Sequence, residues 1–161
     1  MKRINEDKQY HPAVALIDEL IRVNSRVRSI FEGATESSGL GSMQLTVLTA
    51  VVESKSPPTV PQIGRSLGHP RQVIQRAANV LLEQGLITTR ENPDHKRAPL
   101  LEATPSGKQL KLEADTQALK SADEMLTVID ADACNALTQE LRNLRTQIEA
   151  HIKHKGGNDG N

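Results

Sequence analysis

Residues 72–107 read QVIQRAANVLLEQGLITTRENPDHKRAPLLEATPSG, and the way this stretch divides decides the fold. Val73, Ile74, Ala77, Ala78 and Leu81 recur at three- and four-residue intervals, the spacing of one helix face. Gly85 follows, the residue type that most often ends a helix. Residues 86–90 (LITTR) and 99–103 (PLLEA) are short and β-compatible, and Asn92-Pro93-Asp94 marks a loop between them. Thr104-Pro105 then supplies a cap and a proline at the first helical position, which opens another helix. Upstream, Pro61 can open a short helix through Leu67, and Gly68-His69-Pro70 is a tight turn. A short helix, a turn, a helix over about 70–84 and a hairpin make a helix-turn-helix followed by a wing.

Working outward, residues 12–32 predict an amphipathic helix, with Leu16, Leu20, Val23, Val27 and Ile30 on one stripe. Pro12 is placed to start it and Gly33 to stop it, leaving 33–41 (GATESSGLG) as a loop. Ser42 can cap a helix over 43–54 that turns Leu45, Leu48, Val51 and Val52 inward, and SKSPP breaks it. A long helix is expected over about 105–128. Asp130 or Asp132 can cap a last helix, in which Leu137, Leu141, Leu144, Ile148 and Ile152 form a near-heptad stripe. GGNDGN reads as a flexible tail.

The composition narrows the function. The 161 residues include one Tyr, one Phe and no Trp, so the core must come from Leu, Ile, Val and Ala. So few rings argue against single-strand binding on aromatic platforms. One cysteine, Cys134, excludes an intramolecular disulfide and a cysteine-based zinc cluster. No apolar run approaches a membrane span, and the N-terminal MKRINEDKQYHP has no apolar signal core, so the expected location is the cytoplasm. Net charge is zero but uneven. Residues 62–97 hold six basic side chains against three acidic ones, while residues 98–161 hold seven against ten. A basic centre is compatible with a polyanion site.

That centre has a directed layout. Arg71, Gln75 and Asn79 are spaced by four, with Gln72 and Arg76 beside them, so all five share one face opposite the apolar one. Gln and Asn can pair with adenine and Arg with guanine in a major groove. Lys96 and Arg97 sit at the expected wing tip, Arg97 suited to the minor groove and Lys96 to phosphate. Arg65 and the backbone amides at helix starts are further phosphate candidates.

These residues resemble the MarR family of winged-helix transcription regulators, over roughly residues 12–153 in element order. The family's pattern V-T-R-x-V-D-x-L-E-x-x-G-L-I-x-R reads here as Ile74-Gln75-Arg76, Ala78-Asn79, Leu81-Leu82 and Gly85-Leu86-Ile87. Arg90 follows two residues later than the family's Arg usually does. The wing pattern D-R-R-x-x-x-x-x-L-T-x-x-G reads as His95-Lys96-Arg97, Ala103-Thr104 and Gly107, and Gln44 with Leu48 matches a Q-x-x-x-L upstream. His95 stands where the family has an Asp that fixes the wing, and Asp94 offers a substitute. Pro70 stands where a capping Ser is common, and Leu82 replaces an acidic residue. Gly64 replaces Ala, at about 1 kcal/mol of helix propensity.

The resemblance implies a mainly α fold with a small β wing: a winged helix-turn-helix domain flanked by dimerisation helices. Residues 12–40 and 105–153 would dimerise, 42–104 would bind DNA, and 154–161 would be a tail, all within one domain. The 137–152 stripe fits this, being too apolar for an uncovered terminal helix. The implied function is a homodimeric, sequence-specific regulator of double-stranded DNA with a pseudo-palindromic operator. Such proteins are usually repressors released by a small-molecule effector or by cysteine oxidation. The DNA-binding residues expected are Arg65, Arg71, Gln72, Gln75, Arg76, Asn79, Lys96 and Arg97.

Other signals are weaker. Peroxide-sensing relatives carry their cysteine in the first helix, so Cys134 reads as a packed thiol. His151 and His154 near Glu149 read as solvated rather than as a metal site, and His69 and His95 as surface polar residues. No nucleophile–base pair, phosphate loop or paired carboxylate stands out, so neither an enzyme nor a cofactor is expected. The alternative to a DNA regulator is a winged-helix dimer that serves as a protein-interaction adaptor.

Overall fold

The computed structural model describes residues 11–158, leaving aside the side chains of residues 31–37, 153 and 155–158. Six helices and two strands follow in the order α1 (Pro12–Ser38), α2 (Ser42–Val52), α3 (Val60–Leu67), α4 (Arg71–Glu83), β1 (Ile87–Arg90), β2 (Leu100–Ala103), α5 (Pro105–Met125) and α6 (Ala131–Asn158). The fold is mainly helical, with one small antiparallel hairpin for a wing. Contacts divide it into two compact units, with the boundary between Leu119 and Lys120.

Several boundaries differ from expectation. Helix α1 runs through Gly33 to Ser38 and ends before Gly39, which takes the left-handed φ of 64°. One Gly inside a helix weakens it by about 1 kcal/mol and does not end it. Ser42 is the first residue of α2 rather than its cap. The cap is Gly41, with no side-chain hydrogen bond. Helix α5 stops at Met125, and α6 continues to Asn158, so the backbone at 154–158 is helical and residues 159–161 lie outside the described residues. The start of α6 resolves to Asp130, whose Oδ2 accepts from the Ala133 amide at 3.0 Å.

The core lies within residues 40–101. Val47, Leu48, Ile63, Ile74, Ala77, Ala78, Leu81, Ile87 and Leu101 are buried together, drawn from α2, α3, α4 and both strands. The α4 face sits as its spacing predicts, except that Val73 lies at its margin and is exposed. In α2, Leu48 and Val51 are buried, Leu45 and Val52 are half-buried, and Val47 joins the core unanticipated.

The helix-turn-helix is held at two points. Thr59 and Gln62 form a reciprocal capping box at the start of α3, with Gln62 Oε1 accepting from the Thr59 amide at 2.7 Å. At the turn, the His69 amide donates to Gly64 O at 2.9 Å, and a Cβ on Gly64 would sit 3.0 Å from the His69 carbonyl oxygen. Gly64 therefore has a packing reason that opposes its propensity cost. Pro70 caps α4 without a side-chain bond, its carbonyl accepting from the amides of Val73 and Ile74.

Thr104 joins the hairpin base to α5. Its hydroxyl donates to Gly85 O at 2.8 Å, and its Oγ1 accepts from the Gly107 amide at 3.1 Å. Gly107 approaches so closely that a Cβ there would lie 2.0 Å from Leu86 O. The Thr-Pro-Ser-Gly that closes the stretch 72–107 is thus where the long helix meets the wing.

Candidate nucleic-acid interface

A reading surface needs exposed polar side chains on a rigid base. Helix α4 has that base because Ile74, Ala77, Ala78 and Leu81 are all buried beneath it. Its opposite face carries Arg71, Gln72, Gln75, Arg76 and Asn79, all exposed. Gln75 Nε2 donates to Asn79 Oδ1 at 2.9 Å, one helical turn on, so these two amides orient each other.

The wing beside α4 is a four-residue ladder pairing Ile87 with Ala103 through to Arg90 with Leu100. A ribbon this short is weak by itself. It is tied back at β2, where the Leu101 amide donates to Pro58 O at 2.8 Å and Thr59 bridges to Leu100. The segment that caps α3 therefore also fixes the wing. A diagonal ion pair, Arg90 Nε to Glu102 Oε1 at 2.7 Å, ties the two strands together.

Wing closure differs from the expectation placed on Asp94. Asn92 closes the loop: its Nδ2 donates to Ala98 O at 2.8 Å, and its Oδ1 accepts from the Asp94 amide at 3.1 Å. Among the described residues, Asp94 enters no ion pair. An amide bonding locally to backbone does the work expected of a charge pair. Asn92 was legible only as a turn residue, because its partner lies six residues away across the loop.

Lys96 and Arg97 project from this loop and are exposed. Arg65, Arg71 and Arg97 come together, with Arg90 and His95, around a cleft of about 760 Å³ between α3, the start of α4 and the wing. Lys96 lines a second hollow of about 900 Å³ along the wing, which shares Arg90, Asn92 and Pro93 with the first. Gln72, Gln75, Arg76 and Asn79 line neither of these hollows and stand on the open face of α4. Among the described residues, none of Arg65, Arg71, Arg76, Lys96 and Arg97 enters an ion pair within the chain. Arg90 does, through Glu102, so its charge is already partly answered.

No group of His, Cys, Asp and Glu among the described residues could hold a metal ion, and no described helix is long and apolar enough to cross a membrane. Cys134 is half-buried.

Comparison with known proteins agrees with the fold. The MarR family model matches residues 38–98, from the end of α1 to the wing tip. The uncharacterized protein Rv2011c of Mycobacterium tuberculosis is 36% identical over 92 residues, which cover 57% of this chain. The matched part spans 64% of the length of the curated relatives it resembles. A MarR-family transcriptional regulator from Rhodococcus sp. RHA1 superposes with a TM-score of 0.75 at 20% identity, covering 84% of this chain and 95% of that one. CouR, a transcriptional repressor solved bound to a 23-mer DNA duplex, superposes with a TM-score of 0.73 at 20% identity, covering 90% and 99%. The same protein from Rhodococcus jostii RHA1, bound to p-coumaroyl-CoA, gives 0.70 at 19%, covering 87% and 95%.

Proposed function

We infer from a MarR-family segment at residues 38–98, carried in the fold of MarR-family transcription regulators, that the chain is a homodimeric, sequence-specific DNA-binding regulator. One observation carries the reading: five exposed base-competent side chains stand on a helix whose other face is buried through Ile74, Ala77, Ala78 and Leu81, beside a braced wing that offers Lys96 and Arg97. Helix α4, with 13 residues, is about 20 Å long, which suits insertion into a major groove. Gln72, Gln75, Arg76 and Asn79 would meet base edges. Arg65 and Arg71, at the cleft, would hold phosphate, Lys96 would meet phosphate beyond the wing, and Arg97 would enter the minor groove.

The dimer reading is supported by uncovered apolar stripes. Leu16, Leu20, Val23 and Ile30 on α1, and Leu137, Leu141, Ile148 and Ile152 on α6, are all more than a third exposed in the single chain. A second copy of the same helices supplies a self-complementary cover and sets two reading helices on a pseudo-palindromic site. A repressor released by a small-molecule effector is the mode of action we propose, in the cytoplasm, as for a regulator of the CouR type.

Fluorescence anisotropy on DNA flanking the coding region, at several salt concentrations and followed by random-site selection, tests this. A specific regulator gives Kd on the order of 10⁻⁸ M or tighter with a steep salt slope. Arg76→Ala should then cost about 1–3 kcal/mol and relax one position of the site. If selection enriches no sequence, the DNA reading fails and the adaptor reading takes its place.

A further inference from the structure

Among the described residues, Lys111 is the one buried cation, and it lies outside the proposed DNA-binding surface. The residue is 7% exposed, and its Nζ lies 2.6 Å from Glu53 Oε1 and 2.6 Å from Asp115 Oδ2. Glu53 is the residue that ends α2, and Asp115 lies one turn further along α5. Both carboxylates are well exposed, so the cluster points outward from a buried ammonium.

Placing an ammonium there is costly unless its partners sit well. An aliphatic side chain of similar length would bury more apolar surface. What the ion cluster adds is direction. Apolar contact tolerates sliding and tilting, whereas two short charge-assisted hydrogen bonds define one position. Elsewhere on this face the contacts are apolar or small: Leu110 packs against the core, and Gly107 and Ala114, four before and three after Lys111, are buried and small.

Given the DNA-binding reading, on which this inference rests, we propose that Lys111 is a positioning residue. Clamped by Glu53 and Asp115, it fixes the angle of α5 against α2 and so sets the separation of the two reading helices in the dimer. Helix α5 continues unbroken from Lys111 to Met125, a lever of about 20 Å. A tilt of about 10° at its base moves the far end by roughly one base-pair step. Burial alone would lower the Lys111 pKa, but the hydrogen bonds and charges of Asp115 and Glu53 outweigh it and hold the ammonium in its charged form.

Two measurements on the full-length protein test the clamp. The first needs no DNA. A spin label at Glu83→Cys, exposed at the C-terminal end of α4 one turn beyond Asn79, in a Cys134→Ser background, reports the distance between the two copies by pulsed electron resonance. The second measures affinity for the selected operator with its half-sites moved apart or together by one base pair.

The unsubstituted clamp should give a narrow distance distribution and lose about tenfold in affinity per one-base-pair change. With Lys111→Met the distribution should broaden at least twofold and the loss shrink to about threefold, and Lys111→Arg should restore both. Altered distances without specific DNA binding would support the clamp while sinking the DNA reading. A folded Lys111→Met with unchanged distances, an affinity loss equal at every spacing, or an absence of dimers overturns the proposal. If Lys111→Met does not fold, Glu53→Gln and Asp115→Asn take its place, and unchanged widths in both overturn it equally.

Discussion

Gly107 has no room for a side chain. A Cβ would fall 2.0 Å from Leu86 O and 3.3 Å from Leu48 Cδ1, and the nearer contact is backbone at the hairpin base, which cannot rotate away. Gly107→Ala should therefore destabilise the chain by about 3 kcal/mol, the upper range of overpacking, read as a fall in urea midpoint with unchanged slope. At this scale the sequence was partly legible. Gly107 was visible as the end of a pattern and Gly85 as a helix stop, because both follow local rules. Lys111 was not, since any lysine on a helix reads as solvated. It is buried, and its ammonium meets Glu53, 58 residues earlier, which spacing along the helix does not reveal.

At the scale of elements, the short helix α3 depends on its first turn. With eight residues it is below the length at which a helix holds by itself. Thr59 caps it and shares a reciprocal bond with Gln62, while also bridging to Leu100 of the wing. Thr59→Ala should cost about 1–2 kcal/mol by thermal or urea unfolding, the upper end of cap losses, because two elements share the residue. DNA affinity should fall with it, since the wing is moored to the same segment. The helices and both strands were readable to within a few residues from spacing and punctuation, apart from the long extension of α1. There Gly33 looked like a stop, but a single glycine is too weak to break a helix that continues on both sides.

At the scale of the molecule, uncovered apolar surface and the buried charge of Lys111 govern behaviour. Leu141→Glu on the α6 stripe should shift the protein from dimer to monomer by light scattering, and specific DNA affinity should fall by two orders of magnitude or more with it. Lys111 gives a pH signature. Its folded-state pKa lies above the usual 10.5, so the clamp's contribution is fully present below that value and is lost as pH rises through the folded pKa. The difference in urea midpoint between Lys111 and Lys111→Met proteins should therefore stay constant from about pH 7 to 10 and shift against the lysine above about pH 10.5.

Sequence alone determined the kind and order of the elements, the buried face of α4 and the polar set opposite it. These follow from periodicity and from turn and cap chemistry that act within a few residues. Tertiary structure alone decided that Asn92 closes the wing, that Arg65, Arg71 and Arg97 share a cleft, that Thr59 serves two elements, and that Lys111 is sealed between α2 and α5. Each of these joins residues far apart along the chain, or across a loop whose path local rules leave open. Their energies depend on burial and on distance in space, which spacing along a sequence does not encode.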